Sequence, residues 1–532
     1  IIRFTRSVKR HRVSWKTMDP ILNELERDAA AEAGAMFLEL AAGYLAETRA
    51  GEGPVSTSLT PAEIAARFDE PLPLAGRPLA EVVERLRRDV LPDVNRLAHP
   101  MYMGHQVSAP LAAAVWTEPL IGALNQSVAV WEMSPVASMV EHRVVRWLAD
   151  LAGFGPGAGG TLTSGGTEAT FTALLAARNT VIPDAWENGV GADPPAVVYG
   201  EHAHYAVSRA VGELGLGMRG AVPVRSRGFR MDTDALRETL DALERSGRRV
   251  MAVVATAGST ATGSFDDLEA VGALCEERGI WLHVDGAHGA SALLSAEHRH
   301  RLAGLSRART IAWDPHKGML LPLSAGMVLA RDERDLERAF AQKAPYLFHG
   351  GADERVIDQG VRSFQCSRRA DALKLWVALQ RYGAEGIGRV YDHLCSVARS
   401  LWEEIEGRPD FEALHEPESN ILCFRYRGDG SLDGERLDAL NRAVRPAYNR
   451  SGEGWITATV LEGRPVLRVT VMNPRTTADH ARAMLDGVAA EAARVEAGRG
   501  AAMLDSIPGA FERALQGQQE IAAGQGIPLD EF

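Results

Sequence analysis

The sequence predicts an α/β fold, with helices on both faces of a mostly parallel sheet, followed by a smaller α+β domain. Three observations carry this. From about residue 100, helical periodicity alternates with continuous apolar runs at 196–199, 250–255, 280–284, 310–313 and 325–330. Strands without polar alternation are buried on both faces, as parallel strands joined by helical crossovers are. After residue 385 the pattern becomes a helix (387–405) and strand candidates at 421–426, 455–460 and 466–471. The third observation is length: 532 residues exceed one ordinary core, so a large and a small domain are expected.

The remaining segments follow in order. Residues 1–17 are basic but lack the apolar core of a signal peptide, and are read as upstream or non-native sequence, with Met18 as the natural start. Segment 18–97 is helical, with Ile21, Leu22, Leu25, Met36, Phe37, Leu40 and Tyr44 at helical spacing. Within it, 51–78 reads as a Gly/Pro-punctuated linker and 79–97 as helix. The large domain spans 98–385, the small one 386–495, and 496–532 is a tail with room for one short helix.

Composition narrows the function classes. The net charge of −12 argues against binding a nucleic-acid backbone. No apolar run reaches the length of a bilayer span. Cys275, Cys366, Cys395 and Cys423 show no C-x-x-C spacing, so neither zinc nor a disulfide framework is expected. A reduced, cytoplasmic protein without a metal, membrane or nucleic-acid partner is the expectation.

Four motifs carry chemistry. Ser164-Gly165-Gly166-Thr167-Glu168 opens a helix, where free backbone N–H groups and the helix dipole suit a phosphate. Read alone, it is equally a capped Gly/Ser turn. In Glu201-His202-Ala203-His204-Tyr205, a histidine beyond a strand end can stack on a flat ring, or both can be surface residues. In His283-Val284-Asp285-Gly286-Ala287-His288-Gly289, a strand delivers Asp285 to its carboxyl end, where α/β sheets bind ligands. That carboxylate can pair with a protonated pyridine nitrogen or cap the next turn. In Trp313-Asp314-Pro315-His316-Lys317-Gly318, a desolvated Lys317 amine can attack an aldehyde; the alternative is a solvated loop lysine. Phosphate loop, stacking ring, strand-end acid and strand-end amine together match pyridoxal 5′-phosphate (PLP).

With these motifs the chain resembles the group II PLP-dependent decarboxylases, the family of glutamate, aromatic amino acid, cysteine-sulfinate and diaminobutyrate decarboxylases. The resemblance runs from about residue 19 to 494 and is strongest over 98–385. It implies a fold-type-I, aminotransferase-like large domain with a seven-stranded sheet, and a homodimer with active sites near the subunit interface. Lys317 would form the internal Schiff base, Asp285 pair with the pyridine nitrogen, His204 stack on the ring and Ala287 pack on its other face. Ser164, Gly165, Gly166 and Thr167 would hold the phosphate, Thr256 contact the cofactor, and Asp314 and His316 assist at the phosphate and Schiff base. Many relatives have Asn where this chain has Asp314, and an anion there would face the phosphate unfavourably.

The implied reaction is decarboxylation of an L-amino acid to its amine and CO₂. Tyr346 is the candidate for returning a proton to the α-carbon, with His349 as its rival. His105 and Gln106 fall in a substrate-lining segment. Arg368, in Gln365-Cys366-Ser367-Arg368, matches an arginine that would clamp a substrate carboxylate; the alternative is a structural salt bridge to Asp371 or a neighbour. Other readings are an aminotransferase, a desulfurase or an aldehyde synthase on the same fold, or a non-catalytic PLP-binding protein.

Overall fold

The computed structural model describes residues 20–340 and 358–505, which contain two compact units divided between Arg96 and Leu97. The N-terminal unit is helical. Helix Pro20–Asp28 buries none of its side chains, and Ala31–Ala50 buries only Leu40 and Thr48. The stretch expected as a linker contains a short helix, Pro61–Arg67. Its signal was local: Thr60 accepts the Glu63 N–H, while Glu63 accepts the Thr60 N–H at 2.7 Å, a reciprocal cap. The last helix is shorter than expected, running Leu79–Arg85 before a wider turn, Leu86–Val90.

The second unit holds a seven-stranded sheet. Its strands are β1 (Gly159–Thr163), β2 (Ala196–Gly200), β3 (Ala221–Val224), β4 (Val250–Thr256), β5 (Trp281–Asp285), β6 (Thr310–Trp313) and β7 (Gly326–Ala330). The spatial order is β1-β7-β6-β5-β4-β2-β3, and β7 alone runs opposite to the other six strands. All five apolar runs of the large domain are strands. The two strands the pattern missed have physical excuses. β1 reads GGTLT, with glycine where apolar side chains would stand; a Cβ on Gly160 would lie 2.3 Å from the Val328 carbonyl oxygen. β3 contains Pro223, tolerated because β3 is an edge strand.

The small sheet contains β8 (Phe411–Ala413), β9 (Ile421–Tyr426), β10 (Trp455–Leu461) and β11 (Arg464–Thr470), with Tyr102–Met103 pairing parallel to β10. It has its own core, in which Leu422, Phe424, Leu467 and Val469 pack against Leu440, Val444, Met484 and Leu485 of two covering helices. The second of these, Ala478–Asp505, runs through the expected start of the tail. Helix Ala372–Glu406 crosses the expected boundary at 385 and is broken at Gly383.

Candidate active site

The sheet collects the motifs on one edge. Thr256, the last residue of β4, stands opposite Asp285, the last of β5, and Asp285 stands opposite Ala312 of β6. β2 leads into the His204 turn, and β1 leads into Ser164 at the start of helix Gly166–Val181. The carboxyl ends of parallel strands converge there, where α/β sheets place ligands. A cavity of about 290 Å³ lies at this edge, lined by Ser164, Gly165, Gly166, Thr167, His204, Thr256, Asp285, Ala287, Asp314, His316 and Lys317. These are all eleven positions that the motifs nominate around the cofactor.

Each side chain is placed by local chemistry. Past β6, the Lys317 N–H donates to the Asp314 carbonyl (2.9 Å), a turn that swings the lysine into the cavity wall. Gly318 permits it, since a Cβ there would lie 2.6 Å from Cβ of Ser291. The Lys317 side chain is partly buried in the cavity wall, and Nζ lies 3.3 Å from Asp314 Oδ2. Asp285 is buried, and Oδ1 accepts the Ala287 N–H (3.2 Å), so the turn-capping reading is also realised. Ser164 donates from both N and Oγ to Glu168 Oε2 (2.9 and 2.7 Å), which pins the Gly-rich turn. Gly166 is required by close approach; a Cβ on it would meet Ala287 Cβ at 2.8 Å and Asp314 Oδ2 at 3.2 Å.

The two histidines after β2 separate. His204 lines the cavity and His202 packs edge-on against Phe229. His204 Nδ1 accepts the Ala206 N–H (3.2 Å), and burial holds its pKa below the ordinary histidine value, with Asp285 pulling the other way. Thr256 N–H donates to Asp266 Oδ2 (2.7 Å), and the buried Thr256 Oγ1 has no hydrogen-bond partner. Burial also pushes Asp266 up to about 6.

The expected substrate residues fare differently. Neither His105 nor Gln106 lines this cavity; His105 lies against the Trp455 ring, 5.0 Å between centroids. Arg368 is corrected from substrate clamp to structural residue. Its fork binds both oxygens of buried Glu141 (2.9 and 2.6 Å), and Glu141 also accepts the Leu162 N–H of β1. The salt-bridge alternative holds, with Glu141 rather than Asp371 as partner. Tyr346 and its rival His349 lie outside the described residues.

Sequence reading missed Gly258, Thr260, His288 and Leu323 in the wall. For the first two a signal existed: they follow Thr256 beyond a strand end. It also missed Arg468 of β11, a buried cation whose Nη1 donates to the Thr260 carbonyl (2.7 Å) and whose Nε donates to Thr457 Oγ1 (3.1 Å). Among the described residues no carboxylate forms an ion pair with Arg468.

The wall fits PLP. It offers a glycine turn at a helix start too tight for a Cβ, an aromatic histidine, an acid and an amine at adjacent strand ends, and an orphaned buried hydroxyl. Such a wall suits the PLP of a fold-type-I enzyme. Residues 61–427 match the family model described as pyridoxal-dependent decarboxylase conserved domain. The chain is 33% identical to an L-2,4-diaminobutyrate decarboxylase of Rhizobium meliloti over 80% of this chain and 85% of the relative. It is 34% identical to cysteine sulfinic acid decarboxylase of Mus musculus over 69% and 75%. The solved glutamate decarboxylase domain of a diaminobutyrate-pyruvate transaminase and L-2,4-diaminobutyrate decarboxylase from Vibrio parahaemolyticus superposes with a TM-score of 0.77 at 27% identity, covering 87% of this chain and 96% of that one. The chain belongs to the PLP-dependent decarboxylase family and is a PLP-dependent amino acid decarboxylase.

Proposed function

We propose that the enzyme decarboxylates a short-chain L-amino acid bearing a second polar group, with Lys317 as the covalent anchor of the cofactor. One observation carries the assignment of residues: Lys317, Asp285, His204 and the Gly165-Gly166 turn line one cavity at the sheet edge. When bound, PLP supplies an electron sink for the electrons released with CO₂. Asp285 would hold a proton on the pyridine nitrogen. His204 and Ala287 would sandwich the ring, and Ser164 to Thr167 with the helix start would bind the phosphate. Lys317 would release the cofactor to the substrate amine and take it back from the product.

Arg468 is the cation best placed to receive a substrate carboxylate. It is buried, its two protein bonds go to neutral oxygens, and one of them is to Thr260 of the cavity wall. The names of the relatives, a diaminobutyrate and a cysteine-sulfinic acid decarboxylase, fit that class.

A second copy of the chain is the partner this reading needs. Leu120, Leu124, Met133, Val136, Met139 and Phe364 are exposed apolar side chains that a second copy would cover. Leu323 is both exposed and part of the cavity wall, which supports an active site beside the dimer interface. Among the described residues no helix is long and apolar enough to cross a membrane; with its free cysteines, the protein is proposed to work in the cytoplasm.

Borohydride reduction followed by peptide mass spectrometry should find the cofactor adduct on Lys317, and an adduct on another lysine would overturn the assignment. A screen for CO₂ and amine release over diaminobutyrate, aspartate, glutamate, cysteine sulfinate and the aromatic amino acids should favour the short polar set. Turnover of the aromatic set alone would reject the substrate class, and keto acid or aldehyde as the main product would reject the reaction.

A further inference from the structure

Asp314 stands where the phosphate loop and the anchoring lysine meet. It is buried, with Oδ2 3.3 Å from Lys317 Nζ and 3.5 Å from His316 Nε2. The orientation of His316 is set from behind: its Nδ1 accepts the Ala325 N–H (3.1 Å), so the proton of the neutral ring sits on Nε2, towards Asp314. The same Oδ2 lies 3.2 Å from where a Cβ of Gly166 would stand, beside the first residues of helix Gly166–Val181. Asp314 Oδ1 is buried without a hydrogen-bond partner. This carboxylate therefore engages the amine and the imidazole that an incoming phosphorylated aldehyde needs. It also places a negative charge next to the helix start that suits a phosphate.

We propose that Asp314 is a resident counter-ion of Lys317 that restrains cofactor capture. Without cofactor it holds the lysine and His316 in position. Its charge then opposes the cofactor phosphate, so this site binds the phosphorylated cofactor more weakly than the same site with a neutral amide at 314. Two like charges a few ångströms apart in a buried wall repel each other even when partly screened. The restraint acts on the phosphate and leaves the ring contacts of His204, Asp285 and Ala287 untouched.

The test uses vitamers without an aldehyde, so that no covalent step intrudes. Binding of pyridoxine 5′-phosphate and of pyridoxine is measured by calorimetry on the wild type and on D314N. Asparagine should tighten binding of the phosphorylated vitamer on the order of tenfold or more, and leave pyridoxine within about twofold. A purely structural aspartate would shift both vitamers together. Equal or weaker binding of pyridoxine 5′-phosphate by D314N overturns the proposal. K317M compared with K317M/D314N repeats the measurement without the lysine, covers failure of the single variant to fold, and should show a gain at least as large. If no protein binds pyridoxine 5′-phosphate at all, the cofactor site itself is wrong and the proposal falls with it.

Discussion

Arg368 and Arg468 are both buried in the same unit, one just before helix Ala372–Glu406 and the other within β11, yet their surroundings are opposite. Both terminal nitrogens of Arg368 are held by Glu141, which also ties down the backbone of β1; the pair braces the strand that leads into the Gly165-Gly166 turn. Arg468 has only a threonine hydroxyl and a backbone carbonyl, and that carbonyl belongs to the cavity wall. Burial and charge are the same in kind. What separates a structural arginine from one available to a ligand is whether an acid already fills its fork.

That contrast can be broken experimentally, and the largest effect is expected at Arg468. R468A should lower kcat/KM on the order of 10²-fold or more, because a buried cation pairing with a substrate carboxylate contributes several kcal/mol. An unchanged kcat/KM would remove Arg468 from the substrate site. R368A should do the reverse, lowering stability by about 3–5 kcal/mol in denaturant melts through the uncompensated Glu141 charge, with KM little altered. Replacing both partners, R368M/E141L, should recover much of that loss; a selective rise in KM instead would return Arg368 to substrate binding.

The smallest effect concerns pH. Burial lowers His283 to about 4 and His288 to about 3, below the ordinary 6.5. The unfolded chain thus takes up their protons first, and the stability these histidines contribute is present above pH 6.5 and lost as pH falls from there towards 4 for His283 and towards 3 for His288. Asp266 acts with the opposite sign. Raised by burial from 3.8 to about 6, it favours the fold at low pH and loses that contribution as pH rises through about 6. D266N should therefore steepen the acid loss of stability between pH 6 and 4, measured by the urea midpoint. A shallower loss would show that Asp266 is ionised in the folded protein throughout that range.

The site was more legible in the sequence than the fold boundaries were. The motifs at Gly166, Asp285 and Lys317 are short contiguous segments at the ends of apolar runs, and a run that ends in polar chemistry announces a strand's functional edge. β1 and β3 were not legible because glycine and proline replace the apolar residues, and only neighbouring strands explain why such segments are strands. His105 and Gln106 lie in a segment of family resemblance, and resemblance says nothing of the rotation that decides which side chains meet a cavity.

By itself the sequence determined the five apolar strands of the large sheet, the order of the four motifs along the chain and the kind of cofactor they suit, because these depend on residue type and local periodicity. Tertiary structure alone decided which acid meets which base. Glu141 lies 227 positions from Arg368, and Thr260 lies 208 from Arg468. Pairings over such distances arise from the packing of whole layers, and no local pattern carries them.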